Sequence, residues 1–462
     1  MYRLREFDAE SKFASELSLE AIERAVPMTE INAVLLEMDG QEIRERKLNL
    51  VAVVLLTIAM SLYTHLSIGR VMQKIARGLR FVWPEPDWRV ANDSAIVYRR
   101  YQLGARPLVA LFHRVCRPMA TPQTPGAFLF GLRLMAIDGT VEDAPDTPQN
   151  ARVFGRQHGS RGDSAFPQVR GVYLVECGTH AVVDAGFWPY DTCERVGAFR
   201  LLRSVVPGTL VMWDRGLHDF DMFVGVRQRG GQVLSRLPSN VKPQRVRTLA
   251  DGSYLADLRP SERLRRKRGE RLRVRIIEYT ITDPTLPGYG ERHRLVTTLL
   301  DAETCPALDL ACAYHERWEI ELVIDEMDTH QRLAGRPLRS LKPVGVIQEL
   351  YGLLIAHYAV RFLMHEAALQ AGVDPDRVSF VHTLHVLQDA IPEFQMTSPD
   401  QHAQLFDRLL RDVAANLLPE RRLRTNPRVV KRKMSNFLLK RPEHCQWPQP
   451  TSRSFRQAVA VI

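Results

Sequence analysis

Apolar and polar positions fall into three regimes along the 462-residue chain. From Leu17 to about Val115 the spacing is helical. It predicts a helix from Ser18 to Ala25, a long apolar helix near Leu48 to Tyr63, then Ile68 to Leu79 and Ser94 to Val115, with a break at Pro84 and Pro86. The run from Val51 to Met60 is strongly apolar, yet it is too short to span a bilayer and has Asn49, Thr57 and Ser61 in or beside it, so it reads as a core helix. Strand-like runs follow: Phe128 to Asp138, Gln168 to Glu176, Ala181 to Gly186 and, after a helix near Cys193 to Val205, Leu210 to Trp213. The order β, β, β, α, β fits an open α/β sheet, in which ligands gather beyond the C-terminal ends of the strands. Residues 223–300 form a second β-rich block, with Gln232 to Ser235, Leu272 to Thr282 and His293 to Leu300 as strands. Helical spacing returns through Ala307 to Arg332, Val344 to Ala371 and Pro399 to Leu417.

Composition refines this picture through charge. Apolar residues at 45% and charged residues at 25% describe an ordinary globular protein, excluding a disordered or fibrous chain. The 63 Lys and Arg against 53 Asp and Glu leave a net charge of +10, which favours a polyanionic partner. All but nine of these cations are Arg, whose planar fork grips two phosphate oxygens where Lys acts as a point charge. A G+C-rich genome also enriches Arg, so placement carries more weight than abundance. Between Arg259 and Arg275 nine cations, among them Arg265, Arg266, Lys267 and Arg268, face only Glu262 and Glu270. From Arg421 to Arg441 there is no acid, and Lys431, Arg432 and Lys433 stand together. Both runs read as phosphate-tracking surfaces, and the arginines scattered over the short N-terminal helices suit a helix-turn-helix type of DNA reader. The cations do not line one amphipathic helix, which argues against a membrane surface. The six cysteines form no CxxC pair, and MYRLREFDAESKF carries no apolar leader, so a reduced, cytoplasmic protein is expected.

Three acids stand out by position. Asp138 closes an apolar strand in LMAIDGT, Asp214 closes another in LVMWDRG, and Glu321 lies within the helical YHERWEIELVIDEMD. A carboxylate at the tip of an apolar strand is costly unless something positive meets it, and a divalent metal would do so. A turn or cap role is the plainer alternative for each, since Asp-Gly is a common turn signal. Tyr314, Arg317 and Glu321 fall at i, i+3 and i+7 and so project from one helical face, with Trp318 and Ile320 on other faces for packing. Were the helix phase different, Asp325 would replace Glu321.

These residues together resemble the DDE transposases of bacterial insertion sequences, specifically the group whose third acid sits in a Tyr, two residues, Arg, three residues, Glu, six residues, Lys signature. Here the signature reads Tyr314, Arg317 and Glu321; the first acid matches in AIDGT with PDTPQN and Phe154-Gly155 downstream, and the second in WDRG. Residues 338–361 and NPRVVKRK at 426–433 extend the likeness over nearly the whole chain. At the Lys position this sequence has Asp328, with Arg332 the next cation, a departure that implies weaker contact with the transposon end.

The resemblance implies an α/β fold with an RNase H-like catalytic core (121–222 and 301–385), a β-rich insertion (223–300), an all-helical DNA-binding N-terminal domain (1–120) and a helical, basic C-terminal region (386–462). It implies that Asp138, Asp214 and Glu321 hold Mg²⁺, with Mn²⁺ as a substitute, for cleavage at the element ends, often through a hairpin, and joining of the 3′-hydroxyls to target DNA. Tyr314 and Arg317 would hold phosphates at the cleaved end; Trp318 reads first as packing and second as a stacking surface for an unpaired base. The implied partners are double-stranded DNA, both terminal inverted repeats and target, and a second protomer. A nuclease without strand transfer and a catalytically impaired DNA-binding inhibitor are the alternatives.

Overall fold

The structure is a computed structural model and describes residues 2–8, 10–38, 48–85, 91–160, 162–260, 270–286, 288–333, 335–419, 430–431, 438–439 and 454–462. The principal elements begin with helices α1 (Met28–Glu37), α2 (Leu50–Leu62), α3 (Ile68–Ile75), α4 (Arg77–Val82), α5 (Asp93–Leu103) and α6 (Arg106–Val115). Next come strands β1 (Leu132–Asp143), β2 (Gln168–Glu176) and β3 (Ala181–Pro189), helix α7 (Glu194–Leu201), strand β4 (Thr209–Trp213) and helix α8 (Phe220–Gln228). Strands β5 (Gln232–Arg236), β6 (Gln244–Thr248), β7 (Tyr254–Leu258), β8 (Leu272–Ile281) and β9 (Arg292–Thr297) follow. Helices α9 (Ala307–Glu316), α10 (Glu319–Asp325), α11 (Pro343–Ala371), α12 (Phe380–Met396) and α13 (His402–Ala414) lead to the closing strand β10 (Val459–Val461).

Packing groups the chain into two compact units. The first contains Met1–Ala127, Asp138–Ser204 and Glu319–Leu418; the second contains Phe128–Ile137, Val205–Trp318 and Pro419–Ile462.

The first unit is built around α2 and α11. Helix α2 starts where the Asn49 side chain accepts a hydrogen bond from Ala52 N at 2.8 Å, satisfying one otherwise orphaned donor. Every residue from Ala52 to Leu62 is buried, as the unbroken apolar run requires. Gly352 of α11 lets the two helices approach closely: a Cβ there would stand 2.7 Å from Thr57 O. Helix α11 ends at Gly372, in the left-handed conformation (φ 64°, ψ 34°), whose N–H caps the last turn. It carries Gln348, Glu349, His357, Arg361 and His365 as buried polar residues, and among the described residues no helix is long and apolar enough to cross a membrane. The expected single helix from Ser94 to Val115 is two helices, divided at Gly104 (φ 70°). Antiparallel β2 and β3 pair from Val169↔Pro189 to Glu176↔Ala181, closed by a tight turn with Gly178 at φ 81° and His180 at φ 59°.

The second unit is a large mixed sheet. Its part of β1 pairs in parallel with β4, Arg133↔Thr209 through Ala136↔Met212, and β4 pairs in parallel with β5, Leu210↔Gln232 through Trp213↔Ser235. Antiparallel β9, β8, β7 and β6 continue it, so the β-rich block extends the same sheet beyond β5. Strand β10 pairs with the end of β8 at Tyr279↔Val461.

Not all of the basic run in this block faces outward. Arg275 is fully buried, pairs with Asp251 and donates to Ser253 Oγ (2.7 Å) and to the carbonyls of Asp301 (3.1 Å) and Cys305 (2.6 Å). Arg273 pairs with Asp257 at 2.6 Å. Arg265, Arg266, Lys267 and Arg268 lie outside the described residues, as do Arg432 and Lys433; Lys431 sits on a two-residue strand, Val430–Lys431. Because removing one partner of a buried ion pair strands the other, Arg275→Met should destabilise the protein by about 3–5 kcal/mol. Urea denaturation would measure this, and a change below about 1 kcal/mol would show that Arg275 is not a structural cation.

Candidate active site

Asp138 lies inside β1 rather than at its end, because the strand runs on to Asp143 after its parallel pairing with β4 stops at Ala136. The half-buried carboxylate accepts from Gly139 N at 2.9 Å. The Asp-Gly pair makes no turn here. What Gly139 supplies instead is room, since a Cβ would lie 2.8 Å from Glu194 Oε1. Glu194, the first residue of α7, is thus an acid beside the first predicted site residue that the sequence reading did not single out.

Asp214 directly follows β4, two residues beyond Met212 as Asp138 is two beyond its partner Ala136. Its Oδ1 accepts from Gly216 N at 2.7 Å, which fixes the carboxylate at the start of a short 3₁₀ turn. Trp213 before it is fully buried and meets Phe223 edge-on. The Tyr314 hydroxyl donates to Trp213 O at 3.4 Å, so α9 braces the backbone that presents Asp214. Tyr314 is itself buried; burial pushes its hydroxyl pKa up, the Arg317 charge opposes this, and the Asp214 charge adds to it. The Arg317 guanidinium lies 5.7 Å from the Tyr314 ring centre and 5.8 Å from that of Trp318.

Three expectations about this segment change. Tyr314, Arg317 and Glu321 do not share one helical stripe, because α9 ends at Glu316 and a new helix, α10, begins at Glu319. No Pro or Gly marks the break. At the start of the new helix Glu319 turns inward and accepts from Gly178 N at 2.5 Å. Trp318, read first as packing, is 42% exposed, whereas Ile320 is fully buried as expected. Arg317 is buried.

Glu321 is half-buried on α10. Among the described residues, a group of three His or acidic side chains whose ligand atoms come within 4.8 Å of one another is His180, Glu319 and Asp376. Beyond α10 the coil widens into a π-helix, Glu326–Gln331, which takes Asp328 off the expected α-helical stripe. Arg332, the next cation, pairs with buried Glu142 and lies 3.6 Å from Asp328 Oδ1.

Two family models match this chain: the N-terminal domain of the insertion element 4 transposase over residues 16–113, and the transposase DDE domain over residues 129–359. The chain therefore belongs to the DDE transposase family. It is 28% identical over 444 residues to the transposase InsG for insertion sequence element IS4 of Escherichia coli (strain K12), covering 93% of each protein. The putative transposase InsZ of the same organism is 28% identical over 138 residues, covering 30% of this chain and 46% of the relative. Among solved structures, a cryo-EM structure of the piggyBac transposase synaptic complex with hairpin DNA aligns over 87% of this chain and 85% of that one, with a TM-score of 0.42 and 11% identity. The expected class, a mixed α/β protein with a helical N-terminal region and a DDE transposase domain, is the one found.

Asp328, the departure from the family signature, has an unusual protonation state. Burial, and next the neighbouring Glu142 carboxylate, push its pKa up to about 8, against the opposing charge of Arg332. The folded protein holds this proton at neutral pH, whereas the unfolded chain releases it near pH 4. The resulting penalty is absent below that value, grows as pH rises towards 8, and is then constant. Asp328→Asn should therefore be no more stable than the parent near pH 4 and more stable, by about 1–3 kcal/mol, at pH 9. Denaturant titrations at the two pH values check this; equal differences at both would remove Asp328 as the titrating group.

Proposed function

We propose that this transposase moves its element by cut-and-paste, with Asp138, Asp214 and Glu321 as the catalytic acids. The observation that carries the reading is the parallel register of β1 and β4, from which each strand reaches its acid two residues beyond the last matched pair, Ala136↔Met212. Both carboxylates are oriented by backbone N–H groups, of Gly139 and Gly216, as residues held for a chemical task need to be.

An all-oxygen donor set of three carboxylates suits Mg²⁺, or Mn²⁺ in its place, better than a softer ion. Such an ion, when bound, lowers the pKa of water and offsets charge on the phosphoryl oxygens. The chain's own residues do the rest. Tyr314 fixes the backbone before Asp214 through Trp213 O. Arg317, between two aromatic rings, is a cation for a phosphate at the cleaved end, and the exposed Trp318 ring offers a face on which an unpaired base can stack. We assign terminal-repeat binding to the helical N-terminal region, and backbone contact to Arg265, Arg266, Lys267, Arg268, Lys431, Arg432 and Lys433. The active species is a dimer pairing two ends on DNA in the cytoplasm.

The test is Mg²⁺-dependent cleavage of labelled DNA carrying the flanking ends of the protein's own gene. Asp138→Ala, Asp214→Ala and Glu321→Ala should each lower cleavage at least about a hundredfold while DNA binding is kept. A variant that cleaves normally is excluded from the site. Asp328→Lys should tighten end binding; binding without cleavage by the parent protein would favour the inhibitor reading.

A further inference from the structure

A second cluster in the first compact unit has no part in the proposed chemistry. His180, in the β2–β3 turn, is 2% exposed and held at φ 59°, a backbone conformation that costs free energy for a residue with a Cβ. Its Nε2 lies 3.3 Å from Asp376 Oδ1 and 3.9 Å from Glu319 Oε2, yet is buried without a hydrogen-bond partner. Glu319 is 1% exposed, and Asp376 sits on the short Pro375–Arg377 turn. One ligand atom from each of the three lies within 4.8 Å of the others.

We propose that His180, Glu319 and Asp376 bind one divalent transition-metal ion, Zn²⁺ by donor chemistry. Ligands about 2 Å from a tetrahedral ion stand about 3.3 Å apart, close to the spacing around His180 Nε2. A nitrogen donor with two carboxylates favours a transition metal over Mg²⁺ or Ca²⁺. The outer groups of the site fit as well. His180 Nδ1 lies 3.3 Å from Glu326 Oε1 and beside the Arg361 guanidinium, a donor that would have to turn wholly to Glu326 for Nδ1 to carry the proton and leave the Nε2 lone pair to the ion. Glu326 is also met by His357 Nε2 at 3.0 Å, so its carboxylate is held in place beside the His180 ring. Arg361, which also reaches the Nδ1 edge, is satisfied by Glu326 through Nε at 2.9 Å and its terminal nitrogen.

The ion would fasten three segments distant in sequence: the β2–β3 turn, the start of α10 and the Pro375–Arg377 turn. Its role is positional. Glu319 is two residues from Glu321, so the ion anchors the helix that carries the third acid. The binding claim does not depend on the proposed roles of the DDE acids.

The test is zinc content and thermal stability of the full-length protein after loading with Zn²⁺ and exhaustive dialysis. The parent protein should retain about one Zn²⁺ per chain and melt at a higher temperature with zinc than after chelation. His180→Ala and Asp376→Asn should each weaken zinc binding at least about tenfold and lose the zinc-dependent rise in Tm, whereas Asp214→Asn and Glu321→Gln keep both. Asp376→Asn alters one carboxyl group on a turn and decides the matter if His180→Ala does not fold. A parent protein that retains no zinc overturns the proposal. So does zinc lost from Glu321→Gln but kept by Asp376→Asn, which would place the ion among the catalytic acids.

Discussion

A buried carboxylate, Glu326, is the constraint around which the first compact unit is organised. An ionised group in the interior persists only when its lone pairs are met, and here Arg361 and His357 of α11 meet them while His180 approaches from the β2–β3 turn. Helix α11 is in turn seated on α2 through the close approach at Gly352. One carboxylate thereby sets the position of the π-helix following α10, the long core helix and the tight turn of a hairpin. Removing it would leave a guanidinium and two imidazoles facing one another in a dry interior.

The second unit solves a different problem. Asp214 follows a fully buried strand of its sheet, and the backbone around it is held by bracing contacts. The preceding carbonyl is held by Tyr314, the next turn by the carboxylate itself, and the indole of Trp213 is locked against Phe223. Tyr314 thus belongs to the support of the backbone before Asp214, a role its buried position fits, and Arg317 lies buried beside its ring.

Much of this was legible from residue order. The apolar run of α2, the β, β, β, α, β succession and the parallel relation of the two acid-bearing strands follow from periodicity and from rules of sheet construction. What escaped the sequence was decided by contacts between distant positions. Asp138 followed by Gly139 carries a turn signal, but Glu194 fills the space beside Gly139 and the strand continues. Helical periodicity runs unbroken through Arg317 and Trp318, yet one helix ends at Glu316 and another begins at Glu319, whose carboxylate meets Gly178, far earlier in the chain. The grouping of His180, Glu319 and Asp376 joins residues that no local spacing relates, so no motif could have announced it.

The inward turn of Arg275 bears on how this protein meets a polyanion. Counter-ion release on DNA binding counts only cations that reach phosphate, not those already neutralised within the fold. Arg275 and Arg361 are consumed by Asp251 and Glu326, and Arg332 by Glu142. Each of these pairs cancels one cation against one acid and leaves the excess at +10, so the steepness with which ionic strength weakens DNA affinity will report how many arginines reach phosphate rather than how many the sequence holds.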